Sequence, residues 1–76
     1  MGWNYRVIHR IYRDEENYTI HEVYYKPEGR AWLWSEGEAM AMGETIEELR
    51  ADLERQMQAL SRPVLEHSEM PGVRKI

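Results

Sequence analysis

Apolar and polar residues alternate with period two over residues 3–12, WNYRVIHRIY. Odd positions are Trp3, Tyr5, Val7, His9 and Ile11; even positions are Asn4, Arg6, Ile8, Arg10 and Tyr12. Alternation with the odd face more apolar predicts a strand. The polar run RDEEN, residues 13–17, predicts a turn, and YTIHEVYYK, residues 18–26, a second strand. PEG, residues 27–29, is again turn chemistry. RAWLWS, residues 30–35, opens a third strand that EGE, residues 36–38, interrupts. Residues 31–42 read as one bulged strand or two short ones, with Gly37 at the irregular point. Gly43 ends the sheet.

The period then changes. Ile46, Leu49, Leu53, Met57 and Leu60 recur at spacings of three and four in GETIEELRADLERQMQAL, residues 43–60. That is one apolar helical stripe, with Arg50, Asp52, Glu54, Arg55 and Gln58 mostly off it. Thr45 is the expected N-cap, and Glu48 three positions on completes a Thr-x-x-Glu capping box. Glu44, Glu47 and Glu48 place negative charge at the positive end of the helix dipole. Pro63 disfavours helical geometry at Arg62, so the helix is expected to end between Leu60 and Arg62.

These elements predict an α+β domain: a three- or four-stranded antiparallel sheet with one amphipathic helix packed on one face. Residues 1–65 form the expected domain. Residues 66–76, EHSEMPGVRKI, have no period and are expected to be a flexible tail. The stripe, with Leu53 at its middle, is expected to face the sheet. The opposite sheet face is then open and carries part of the large aromatic set. Contiguous exposed aromatics mark interfaces. The expected partner-binding residues are Trp3, Arg6, Arg10, Tyr12, Tyr25, Trp32 and Trp34.

Size sharpens the expectation of a partner. The chain has 76 residues. Below roughly 70–80 residues a single core usually supplies about 3–5 kcal/mol. There is no cysteine, so disulfides and cysteine-rich zinc modules are excluded. A homodimer, or docking on another protein, is a natural source of added stability. The N-terminal MGWNYRVIHR lacks the apolar run of a signal peptide, and no stretch approaches a membrane span, so the expected location is cytoplasmic. Net charge is −4. Residues 31–62 carry three basic against seven acidic side chains, while the rest is balanced. An acidic helix region favours a basic protein partner or solubility over general nucleic-acid binding.

Candidate chemistry is sparse. If the RDEEN loop pairs Arg13 with Tyr18, His9 lies opposite Glu22; a one-residue slip pairs Arg10 with Glu22 instead. Either reading makes a structural cross-strand pair more readily than a metal or proton site. Ser35, Ser61 and Ser68 have no nucleophile-elbow context. The five glycines are scattered, with no phosphate-binding loop. No catalytic residue, metal ligand or cofactor is expected. Arg6 and Arg10, interleaved with Ile8 and Tyr12 on one strand face, form the basis of an alternative reading as a weak nucleic-acid-binding module.

The order of a hairpin, a third strand and then a Gly-x-Thr-x-Glu-Glu helix start resembles the N-terminal part of HicB-type antitoxins. Gly43, Thr45, Glu47 and Glu48 carry the match. The WNYRV start and the EELR and PVL segments are also similar to small bacterial strand-strand-strand-helix proteins. The resemblance implies a partial ribonuclease-H-like sheet and a protein-binding role; DNA binding, which that family places in a further module, is not carried over. The expected function is a small acidic regulator or adaptor, antitoxin-like or of the phage-inhibitor type, that docks on a partner protein.

Overall fold

A computed structural model describes residues 2–71. The fold is α+β. Strands β1 (Trp3–Tyr12), β2 (Glu15–Tyr25) and β3 (Ala31–Trp34) precede helix α1 (Ile46–Met57), and a short strand β4 (Leu65–Glu66) follows it. The sheet order is β3-β2-β1-β4. β1, β2 and β3 are antiparallel neighbours, but β4 runs parallel to β1 through Ile8 and His9. The sheet is therefore mixed, which corrects the antiparallel expectation. Parallel neighbours need a crossover, and α1 supplies it.

The β1–β2 hairpin is tighter than RDEEN suggested. Tyr12 pairs with Glu15, leaving only Arg13 and Asp14 in the turn. Arg13 adopts φ 56, the left-handed conformation a two-residue hairpin turn demands. The resulting register places Tyr5 opposite Glu22, Arg6 opposite His21 and His9 opposite Tyr18. Both registers considered from sequence are displaced, because the polar run extends the strands instead of looping out.

Beyond β3 the chain keeps to the edge of β2 without being a regular strand. The Ser35 amide donates to the Glu22 carbonyl (3.0 Å), and the Ala39 amide to the Ile20 carbonyl (2.6 Å). Gly37 lies between these two attachments, at the expected irregularity.

The start of α1 follows its sequence. Thr45 is extended, and its hydroxyl accepts from the Glu48 amide at 3.1 Å. The Glu48 carboxylate reaches back one residue further than a standard capping box and accepts from the Glu44 amide at 2.8 Å. Gly43 lies hard against this first turn. A Cβ there would stand 2.5 Å from the Leu49 nitrogen, so the close approach requires glycine. One 3-10 turn, Gln58–Ser61, prolongs α1 before Pro63.

Two small cores lie on the two sheet faces. On one, Tyr5 and Val7 from β1 meet Ala59 from the turn after α1, with Ile20 and Ala39 beside them. On the other, Ile8, Val23 and Trp34 pack together under Tyr25, Ala31, Leu65 and Met70. The second face was expected to be open. It is covered by the segment that follows α1: the Trp34 indole N–H donates to the Pro71 carbonyl at 2.9 Å, and the His67 ring stands edge-on to Trp34 at 5.5 Å. Residues 66–71 of the expected flexible tail are thus packed on the sheet, while residues 72–76 lie outside the described residues.

The orientation of α1 is the largest difference from expectation. Its inward side is Asp52 and Gln56, continued by Ala59, all buried. The apolar stripe faces outward: Ile46 is 66% exposed, Leu53 47%, Met57 65% and Leu60 68%, with Leu49 half-buried. Asp52 explains the choice. Its Oδ1 accepts from the Tyr5 hydroxyl at 2.8 Å, and its Oδ2 from the Met42 amide at 3.0 Å. A buried tyrosine hydroxyl needs a partner, and α1 turns its carboxylate toward the sheet to provide one.

Candidate interaction surface

The residues expected to bind a partner are dispersed. Trp34 is 1% exposed and belongs to the core. Arg6 is held internally: one guanidinium nitrogen donates to the Tyr25 hydroxyl (2.9 Å) and another to the Pro63 carbonyl (2.7 Å). Tyr25 in turn donates to the Asn4 side-chain oxygen at 2.6 Å, so these two residues tie β1, β2 and the approach to β4 together. Trp32 is half-buried. Trp3 is exposed, stands edge-on to Tyr5 and stacks on Tyr24, and lines a shallow cleft with Arg55, Gln58 and Arg62. Tyr12 is exposed near the hairpin tip with the Arg13 guanidinium 5.5 Å from its ring centroid. Arg10 is exposed beside Asn17, Thr19 and His21. No single face gathers all seven.

The histidines are mostly engaged in structure. His21 is buried between Thr19 and Ser35. The Ser35 carbonyl can only accept, so Nδ1 carries the proton and donates to it at 3.1 Å. Nε2 then accepts from the Thr19 hydroxyl at 2.7 Å. Burial pushes the His21 pKa below its ordinary value, consistent with a neutral ring. His9 links three strands: Nδ1 is 2.8 Å from Glu66 Oε1, Nε2 is 3.4 Å from Glu16 Oε1, and the ring stacks on Tyr18. The hydrogen bond to Glu66 is the largest of the effects that raise its pKa. Neither the His9–Glu22 nor the Arg10–Glu22 pairing forms, and the carboxylate that meets His9 most closely comes from β4.

The coherent apolar surface is the outward stripe of α1. Ile46, Leu49, Leu53 and Met57 run along it, Leu60 continues the row from the 3-10 turn, and the exposed Met40 and Met42 lead into the helix. Single exposed apolar residues are ordinary, but a contiguous row is a recognition feature. Arg50, Glu47 and Glu54 edge the row on the side away from the sheet and are all exposed. Composition missed this surface because the stripe matched what a core-facing stripe looks like. The competing signal was Asp52, Gln56 and Ala59 at spacings of four and three, a second helical row whose carboxylate has Tyr5 to meet.

No protein-family model, curated protein or solved structure matches the chain. Among the described residues no helix is long and apolar enough to cross a membrane.

Proposed function

We propose that the chain is a small acidic protein-binding regulator or adaptor whose docking surface is the outward stripe of α1. The observation that carries this reading is the orientation of the helix, which seats Asp52 on the sheet and leaves Ile46, Leu53, Met57 and Leu60 in water. An apolar row edged by charge is the helix-in-groove mode of protein recognition. The excess of acidic side chains over residues 31–62 suits a basic partner surface, and steers such a partner at low salt. An antitoxin-like or phage-type inhibitor, occupying a basic channel on its target, is the regulator this chemistry fits. The engagement of Arg6 with Tyr25 and Pro63 supports protein over nucleic acid as the partner.

Methionine oxidation tests the surface directly. Met40, Met42 and Met57 are exposed, whereas Met70 packs against the Trp34 core and serves as an internal reference. Exposed thioethers oxidise readily to the sulfoxide. The expected result is that Met57 reacts fast in dilute purified protein and slowly in the cells that make it. Equal Met57 reactivity in both settings, with Met70 protected throughout, would refute docking through this helix.

A further inference from the structure

We infer that the occupant of the α1 stripe is a second copy of the same chain, joined by an antiparallel helix pair with its two-fold axis at Leu53. This rests on the protein-docking reading of the stripe, and the pair must separate before the same stripe meets a basic target. The first observation is a symmetry in the stripe. The spacings from Ile46 to Leu49, Leu53, Met57 and Leu60 are three, four, four and three, the same read in either direction. Two antiparallel copies centred on Leu53 therefore bring Ile46 against Leu60 and Leu49 against Met57, with Leu53 meeting its own counterpart on the axis. Every apolar residue of the row meets an apolar residue, and none is left over. A symmetric dimer requires such a self-complementary patch.

Charge supplies the second observation. Arg50 and Glu54 lie on the same flank of the stripe, both exposed. Among the described residues neither makes a salt bridge or side-chain hydrogen bond. The two-fold that superposes the stripes keeps both flanks on one side. It sets Arg50 of one copy beside Glu54 of the other, about 3 Å apart along the axis at 1.5 Å rise per residue, and repeats the pair by symmetry. A parallel two-fold would put the two flanks on opposite sides of the seam and form no such pair. The antiparallel pair also sets the positive end of each helix dipole beside the negative end of the other. A five-residue stripe makes a small interface, of the kind that gives weak, concentration-dependent dimers.

Sedimentation equilibrium from low micromolar to millimolar protein is the first measurement. The mass is expected to rise from 9.2 kDa toward twice that value. Leu53→Lys, at a position already half in water, should leave the circular dichroism unchanged and hold the mass at the monomer. Arg50→Glu alone and Glu54→Arg alone should each weaken self-association, and mixing the two variants should restore it. Orientation is read by cross-linking, because the chain has no cysteine of its own. Ile46→Cys and Leu60→Cys should form a disulfide with each other when mixed and little with themselves. Self-linking of each variant alone would overturn the antiparallel arrangement, and a Leu53→Lys protein that dimerises like the wild type would overturn the site. A wild-type monomer at every concentration overturns the second copy as occupant; if Met57 is nevertheless protected in cells, docking on a foreign protein stands.

Discussion

Replacing Asp52 by alanine tests whether a polar clasp seats α1 on the sheet. Three donors converge on this carboxylate: the Tyr5 hydroxyl (2.8 Å), the Met42 amide (3.0 Å) and Arg55 (3.1 Å). Arg55 is three residues along the same helix and its side chain is more than half exposed, so this pair contributes little. The other two bonds join α1 to β1 and to the segment before the helix. Hydrogen bonds to a charged group are worth about 1.5–3 kcal/mol by mutation. Alanine removes both and leaves the buried Tyr5 hydroxyl without its acceptor, while water entering the thin contact recovers part of the loss. A cost of about 2–4 kcal/mol is expected for Asp52→Ala, and about 0.5–1.5 kcal/mol for Tyr5→Phe. Urea unfolding followed by tryptophan fluorescence measures both, and the double variant gives their coupling, expected above about 0.5 kcal/mol for residues in contact.

The same clasp makes a prediction in pH. The Tyr5 hydrogen bond, then the Met42 amide, hold the Asp52 carboxyl below its ordinary 3.8. A depressed folded pKa stabilises the fold above the unfolded value, and the contribution is lost as pH falls through the lower folded value. Wild type should therefore lose stability on acidification below pH 3.8 more steeply than Asp52→Asn. At the other end, burial and then Asp52 push the Tyr5 hydroxyl from 10.0 up to about 12. Its contribution is full below pH 10.0 and is lost as pH rises toward about 12. If Asp52→Ala shifts the urea midpoint no more than the exposed control Glu54→Ala, and the acid limb is unchanged, the clasp does not hold the helix.

Leu53→Ala should change the stability of the dilute monomer by no more than about 0.5 kcal/mol, the scale of surface substitutions, instead of the about 2–5 kcal/mol of a core leucine; thermal melting at low concentration decides between them. Ending the chain after Leu65 removes His67, Met70 and Pro71 from Trp34 and should cost about 2 kcal/mol or more in apolar cover, with Trp34 emission shifting red; unchanged emission and urea midpoint would show that the segment is not needed. His9, whose pKa is raised chiefly by Glu66, stabilises the fold fully below 6.5, and that contribution is lost as pH rises through the raised folded value. His9→Gln should flatten this limb of the pH–stability curve, and an identical curve would remove His9 from the account.

The strand pattern and the helix cap were legible because each depends on neighbours in sequence. Period-two alternation placed β1, strand composition over residues 18–26 placed most of β2, and Thr45 with Glu48 located the start of α1 to the residue. The hairpin register was not legible, because Glu15 and Glu16 look like turn residues and yet extend β2 on its solvated end. The helix orientation was hidden for a different reason. Two rows on α1 have helical spacing, and hydrophobicity alone selects the wrong one; only the placement of the Tyr5 hydroxyl, set by β1 and its partners, distinguishes them. The cover over Trp34 left no periodic trace, since Leu65, His67 and Met70 reach the sheet from irregular backbone and a two-residue strand. The candidate surface was therefore misplaced twice: Trp34 was assigned to the outside and the α1 stripe to the inside.

These two reversals have one physical cause. A sheet of this size has two faces to cover and one helix to cover them with. The segment after α1 takes the Trp34 face, and Ala59 with Asp52 closes the Tyr5 face using little apolar area. The large apolar residues of α1 are then surplus to the fold. Burying a leucine, isoleucine or methionine side chain is worth about 1.5–3 kcal/mol, so four of them left in water are a substantial unrealised driving force beside a core of the usual small size. Folding and association consequently draw on different residues. Asp52, Tyr5 and Trp34 hold the fold together, whereas under the proposed docking Leu53, Met57 and Arg50 set what the folded chain meets. Substitutions on the stripe should move association with the fold intact, and substitutions at the clasp should move both.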